Sequence, residues 1–422
     1  MESTCPADKK PCLVYTTLPE NAQNEVFINF HINEDSWDSE WDPKFEFKIV
    51  ESQKDVLLDQ DWTEGDAVRG EYESPDSEYS RRNIFTVLLK ELKPNTKYAF
   101  KMTEPSWSNH EPEIFTYKSF NPEKITVVDG GDMGNNYLTD IMNEKVVSKI
   151  DSDLFMVGGD IAYDNNLPSW YRAWDYILIN MPYKRHDPET NTTRIVPFIF
   201  GVGNHDLGVN SFGGSSIVHN SHEPVFKHYF PQNTDSGEIP SLNSRKSYFS
   251  HQIGEKLHVF SPDTEYEASM GGEQRDWMQQ TLKDSTAQFK FTQYHGPIFA
   301  ACEQDAYFDN LVMDAGKEHW VPLFDKYNMT IVFENHTHSF KRSKRIKHGK
   351  VDEFGTYYLG EGAWGVEKPT AICTPMHAEL HDFSEVVQNV WMLEIDGSDI
   401  IQATAFGIDG QTLDSIKVNA IP

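Results

Sequence analysis

Five short apolar runs, Ile125–Val128, Leu154–Val157, Val196–Phe200, Phe289–Thr292 and Thr330–Phe333, each break off into a turn rich in glycine, aspartate, asparagine or histidine. Apolar runs of this length bounded by turn residues read as buried strands. Between them the spacing predicts helices over Tyr137–Ile150, Pro168–Ile179, Glu273–Leu282 and Met313–Lys326. Strands alternating with helices imply stacked sheets flanked by helices, an α/β (α+β) sandwich of two mixed β-sheets. The chain begins differently. Val26–Ile32 and Phe45–Val50 alternate in part and Ile84–Leu89 is a third strand, which predicts an all-β sandwich over residues 12–119. Asn121-Pro122 marks the boundary, since proline turns the preceding residue away from helix and domain joins fall in loops. Residues 122–422 then form the second domain. Glu34–Asp42, with Trp37 and Trp41, reads as a surface loop.

Length agrees with two domains, because 422 residues exceed what one core usually holds. A hydrophobic content of 38%, with 26 Phe, 18 Tyr and 10 Trp, supplies ample core and argues against extensive disorder. The net charge of −29 repels nucleic acid and anionic membranes, and it repels phosphate esters at long range as well. No run of about 18 apolar residues is present, so no membrane span is expected. The sequence leaves room for a homodimer.

Four cysteines allow three pairings. Cys5 with Cys12 would staple the amino-terminal tail and Cys302 with Cys373 would join two loops; four free thiols are the alternative. Residues 1–11 carry no apolar signal core, so either the numbering begins at a processed terminus or the protein is not secreted. Asn191-Thr192-Thr193 and Asn328-Met329-Thr330 are glycosylation sequons and point toward a secretory route. Asn335-His336-Thr337 has the same form, but glycosylation there would collide with a candidate ligand.

The chemistry lies in the five turns: Gly131-Asp132-Met133-Gly134, Gly159-Asp160-Ile161-Ala162-Tyr163, Gly203-Asn204-His205-Asp206, Tyr294-His295-Gly296-Pro297 and Asn335-His336-Thr337-His338. Open α/β folds bind ligands beyond the carboxyl ends of their strands. Seven donors delivered to one edge make a metal centre. Singly, each has a plainer reading: Asp132 as a helix cap, Asp160 as a turn aspartate, Tyr163 as a core aromatic, His205 as a hydrogen-bonded structural histidine.

The set and its order resemble the metallophosphoesterase superfamily. Gly134 in place of a histidine, together with Tyr163 three residues after Asp160, resembles the plant-type purple acid phosphatases. Leu92-Lys93-Pro94-Asn95-Thr96-Lys97-Tyr98 is similar to the corner of fibronectin type III domains, which those enzymes carry ahead of the catalytic domain. The resemblance implies a bridging Asp160, with Asp132, Tyr163 and His338 on Fe(III), and Asn204, His295 and His336 on a divalent Zn, Fe or Mn. Carboxylate and phenolate suit ferric iron, while imidazole and amide oxygen suit the divalent ion. His336 and His338, two apart, would point to opposite sides, so the chain would pass between the metals. His205 would donate to the phosphate and Asp206 would orient it, the two catalytic side chains.

The implied function is a dinuclear-metal acid phosphatase, hydrolysing phosphomonoesters by direct attack of a metal-bound hydroxide. Its partner is a small phosphate ester, and the implied location is secreted or lysosomal/vacuolar. Three departures qualify the match. Asn335 stands where the family has glycine, tolerable if the backbone turns left-handed. Lys341 stands where it has glutamate. The histidines that follow His295 in that family are missing, leaving Glu303, Asp305, His219 or His222 as candidate acids. Glu361 and Trp364 are unusual in the glycine-rich turn and are expected to line the mouth, so Glu303 and Glu361 are the candidate substrate contacts. A metallophosphodiesterase or nucleotide pyrophosphatase on the same fold is the first alternative. A secreted recognition protein with little turnover is the second.

Overall fold

The computed structural model describes the chain apart from residues 1–4, 6–10, 34–42, 73–81, 105–110, 166–170, 208–223, 304–305, 368–373 and 422. The expected loop at Glu34–Asp42 therefore lies outside the described residues. All five apolar runs form strands: Ile125–Gly130, Leu154–Gly158, Phe198–Gly201, Phe289–Gln293 and Ile331–Glu334. Their buried, β-branched and aromatic content fits strands covered on both faces.

Two sheets hold them. In the first, Ile125–Gly130, Leu154–Gly158 and Phe198–Gly201 run parallel, in a register that sets Val157 beside Gly130 and Gly158 beside Gly201. In the second, Phe289–Gln293 and Ile331–Glu334 run parallel with Tyr357–Gly360, Gln293 beside Phe333 and Glu334 beside Gly360. Parallel strands in register end together, so each sheet brings its chemical turns to one edge. The amide of Gln293, fully buried, donates to the carbonyl of Ile199 at 3.2 Å and links the sheets.

The amino-terminal strands form a sandwich that is sewn into this frame. Cys12–Thr17 pairs with Phe198–Gly201 through Thr17 and Phe198, which extends the first sheet onward to Val26–Asn33 and Arg82–Leu89. Ile114–Lys118 pairs in parallel with Thr192–Ile195, so the hairpin Lys184–Ile195 completes the other sheet of the sandwich. One apolar cluster runs from Tyr15 and Phe30 to Val157 and Trp391. At the corner, the Tyr98 phenol oxygen accepts the N–H of Lys93 at 2.8 Å, as a tyrosine corner does. Cys5 and Cys12 form a disulfide, and Cys302 is disulfide-bonded as well.

Two helices differ from the sequence reading. The first ends at Lys145 and gives way to a 3-10 turn over Val147–Lys149. There the Arg185 guanidinium takes up the carbonyls of Val147, Ser148 and Ile150, leaving no need for further helical bonds. The stretch Met313–Lys326 is two helices, Ala306–His319 and Val321–Tyr327, split at Trp320. Pro322, within the first turn of the second, has no N–H to continue a preceding helix.

Candidate metal centre

The five turns meet where the two sheets abut. Asp132, Asp160, Tyr163, His336 and His338 all have φ between 50° and 77°, the left-handed region that non-glycine residues seldom enter. Strain of this kind persists where the surroundings over-determine the backbone, and it collects at functional sites. Much of that determination is local. Asp206 spans two turns: its carboxylate accepts the N–H of Asp160 at 2.7 Å, of Gly203 at 2.9 Å and of Ile161 at 3.0 Å. Asp160 returns the tie by accepting the N–H of His205 at 2.8 Å, and Asp132 accepts that of His336 at 2.9 Å. The helix after Asp132 is capped by Asn136, not by the aspartate.

The donors gather into two groups. Asn204 Oδ1 lies 3.1 Å from both His295 Nε2 and His336 Nδ1, and the two imidazoles stand 3.2 Å apart. Asp160 Oδ2 is 3.2 Å from His295 Nε2. In the other group, His338 Nε2 is 3.1 Å from Asp132 Oδ1, and the Tyr163 phenol oxygen is 3.4 Å from each. His295 Nε2 and Asp132 Oδ1, 4.0 Å apart, mark where the groups adjoin. His336 thus joins one group and His338 the other, with left-handed backbone at both positions.

The donor set fits cations. His295 Nδ1 lies 3.2 Å from the carbonyl of Gly158, which fixes the proton there and turns the Nε2 lone pair inward. Three acceptor atoms then converge, from Asp160, His295 and His336, all buried and within 4.8 Å of one another. Without a cation the charge falls unevenly. Burial opposes it, but Asp160 and Asp132 push His295 up to about 9; burial and His295 bring the facing His336 down to about 3. Burial alone would raise Asp160, yet His295 and His205 hold it well below the usual carboxylate range. Burial, then Asp132 and Asp160, raise the Tyr163 phenol, so its ionisation calls for a cation at the site.

Several sequence-based assignments change. Asn165 Oδ1, 2.6 Å from His205 Nδ1, holds that ring, while Asp206 is engaged with backbone. Asn165 lies five residues past Asp160, and nothing in its spacing singles it out. Glu361 and Trp364 do not line a mouth, for both are fully buried. Trp364 donates its indole N–H to Asn143, and Glu361 joins an internal ion cluster. Asn335 is not left-handed; its side chain fills a slot between Gly131 and Gly158 and donates to the carbonyl of Tyr294 at 2.9 Å. A Cβ on Gly158 would sit 1.9 Å from the Asn335 amide nitrogen, so the slot exists only because both neighbours are glycine. The backbone of Glu303 pairs with Thr374. Asp305, His219 and His222 lie outside the described residues. Asn191 is exposed on the turn of the hairpin Lys184–Ile195, and Asn328 is half-buried at a left-handed helix end. A cavity of about 630 Å³, lined by Lys118, Lys124, Lys149 and Arg194 among others, shares no residue with the centre.

Two sheets that join their strand ends over this donor set define a metallophosphoesterase fold, and residues 131–340 match the calcineurin-like phosphoesterase family. The chain carries a calcineurin-like phosphoesterase domain, and its homologues include plant purple acid phosphatases. Probable purple acid phosphatase 20 of Arabidopsis thaliana is 26% identical over 292 residues, covering 68% of this chain and 62% of that protein. The chain thus spans less than two thirds of that relative's length. A purple acid phosphatase from yellow lupin (Lupinus luteus) seeds superposes with a TM-score of 0.75 at 18% identity, over 97% of this chain and 74% of the other. PhoD superposes with a TM-score of 0.61 at 12% identity, over 99% and 93%.

Proposed function

We propose that the protein is a dinuclear-metal acid phosphatase acting on phosphomonoesters. One observation carries the reading: the seven donors divide into two adjoining groups, with His336 in one and His338 in the other. Asp132, Tyr163 and His338 would hold a ferric ion; Asn204, His295 and His336 would hold a divalent one; Asp160 would bridge. Bound there, two cations would supply Lewis acidity and an acidified water for direct attack at phosphorus, with no phosphoenzyme.

The side chains contribute three things of their own. They concentrate charge: two anionic carboxylates and a phenolate leave a ferric–divalent pair net positive, which draws in a phosphate that the rest of this acidic surface repels. They shield the donors from water, since His295, Asp132 and Asp160 are buried. And His205, whose side chain is 20% exposed, overlooks the donors with Nε2 3.8 Å from Asp160 Oδ2. With Nδ1–H donated to Asn165, Nε2 can give a hydrogen bond to an equatorial phosphate oxygen only as the imidazolium, a form that the charge building there would favour.

A secretory route is part of the proposal. An oxidised Cys5–Cys12 pair suits an oxidising compartment, and Asn191 is accessible for a glycan. A fall in mass on endoglycosidase treatment of the native protein is the expected result.

The deciding test combines metal analysis, the visible spectrum, and rates on a chromogenic monoester and a diester. Iron with a second metal, a band from Tyr163 phenolate to Fe(III), and preference for the monoester are expected. Tyr163→Phe should lose the band and keep the fold. A colourless iron-loaded protein would refute the Tyr163 assignment. Preference for the diester would favour a phosphodiesterase, and failure on both esters with metals bound a recognition protein.

A further inference from the structure

Beneath the centre lies a charged cluster that none of the metal chemistry uses. Lys341, Glu334 and Glu361 are each fully buried. The Lys341 ammonium contacts Glu334, lies 2.6 Å from Glu361 Oε1 and donates to the carbonyl of Phe299 at 2.7 Å. Two positions that depart from the family pattern in sequence, Lys341 and Glu361, thus meet as opposite charges.

Glu334 reaches the loop that follows His295, and Glu361 reaches both that loop and the one carrying His336 and His338. Glu334 accepts the Tyr294 hydroxyl at 2.7 Å, beside His295, and the N–H of Ile298 at 2.6 Å just beyond it. Glu361 accepts the Ser339 hydroxyl at 3.0 Å and bonds the hydroxyl of Thr337, the residue between His336 and His338. It also accepts the N–H of Ala301 at 2.9 Å. Among the described residues, Lys341 is the cation that pairs with both acids, and without it two carboxylates would lie buried without a counter-charge, which is strongly unfavourable.

We propose that Lys341 is a positioning residue that, through Glu334 and Glu361, locks the His295 loop to the His336–His338 loop and so sets the spacing of the metal donors. This rests on the metal-centre reading above. Outer contacts of this kind are typically worth about 10- to 100-fold in metal affinity.

The test compares Lys341→Met with Lys97→Met. The second breaks the pair with Asp187, itself largely buried in the amino-terminal sandwich away from the centre. Zinc retention is measured by chelator titration well below both melting temperatures, and amide exchange is followed at 298–301 and 336–339. Lys341→Met should bind zinc about 10- to 100-fold more weakly and exchange faster in both loops, while Lys97→Met should match wild type in both even if it melts earlier. Adding Glu361→Gln to Lys341→Met, which removes a stranded charge, should recover part of the loss. Wild-type affinity and exchange in Lys341→Met would overturn the proposal. If Lys341→Met does not fold, Glu361→Gln alone is the arbiter: it should speed exchange at 336–339 more than Lys97→Met does, and equal exchange would overturn the idea. A wild type that binds no metal would defeat the functional reading instead, and the exchange comparison would still judge the locking role.

Discussion

Asn335 shows how a single side chain can be read correctly for identity and wrongly for conformation. Its position in the fifth turn was plain from the sequence, where asparagine in place of glycine was tolerable on condition that the backbone turned left-handed. The left-handed residues are its neighbours, His336 and His338. What admits Asn335 is a slot made by Gly131 and Gly158, more than 170 residues upstream. Gly158→Ala, whose new methyl would lie 1.9 Å from the Asn335 amide, should therefore displace the loop and lower metal content. Gly158→Ala combined with Asn335→Gly should restore much of it, because the clash needs both side chains. Metal stoichiometry on the two variants decides the matter; no rescue would mean that the glycine serves another purpose.

At the scale of elements, every strand that carries the site was legible, since short apolar runs ended by turn residues have few other uses. The helices were less so, because their ends depend on distant partners such as Arg185 and on where Pro322 falls. The turns themselves are held by Asp206, which joins the second and third of them through three backbone N–H groups. Asp206→Ala should strip those donors in a buried place, costing about 1–3 kcal/mol per group left unpaired. Thermal stability and metal retention should fall together. Loss of turnover with both preserved would instead give Asp206 the catalytic role that sequence assigned it.

Over the whole molecule, two properties depend on how the strands before and after Asn121 share sheets. Residues 122–422 expressed alone would lack Ile114–Lys118, the partner of Thr192–Ile195, and would bare the edge of Phe198–Gly201. That fragment is expected to be insoluble or to unfold without cooperativity; a sharp calorimetric transition would show that the division at Asn121 is a true folding boundary. Acid stability is the second. His251, whose Nδ1 lies 3.0 Å from the Pro19 carbonyl, is pushed down to about 4 by burial, and His258 to about 3. Between their ordinary value near 6.5 and these, the unfolded chain binds more protons than the folded one. Stability is therefore present above that ordinary value and is lost as pH falls toward the folded values, on the order of 3 kcal/mol for His251 if fully titrated. His251→Gln should flatten melting temperature against pH from 6.5 down to 4. An unchanged slope would place the acid sensitivity elsewhere.

The sequence by itself determined which residues could bind metal and which strands would carry them, because donor chemistry and apolar periodicity are local properties. It also placed Tyr98 at a tyrosine corner through a local run. Tertiary structure alone decided that Asn165 holds His205, that Glu361 and Trp364 face inward, and that Lys341 meets two acids. Those outcomes turn on which buried groups find partners across sheets, and a buried charge or amide takes its place from whatever the assembled fold sets beside it.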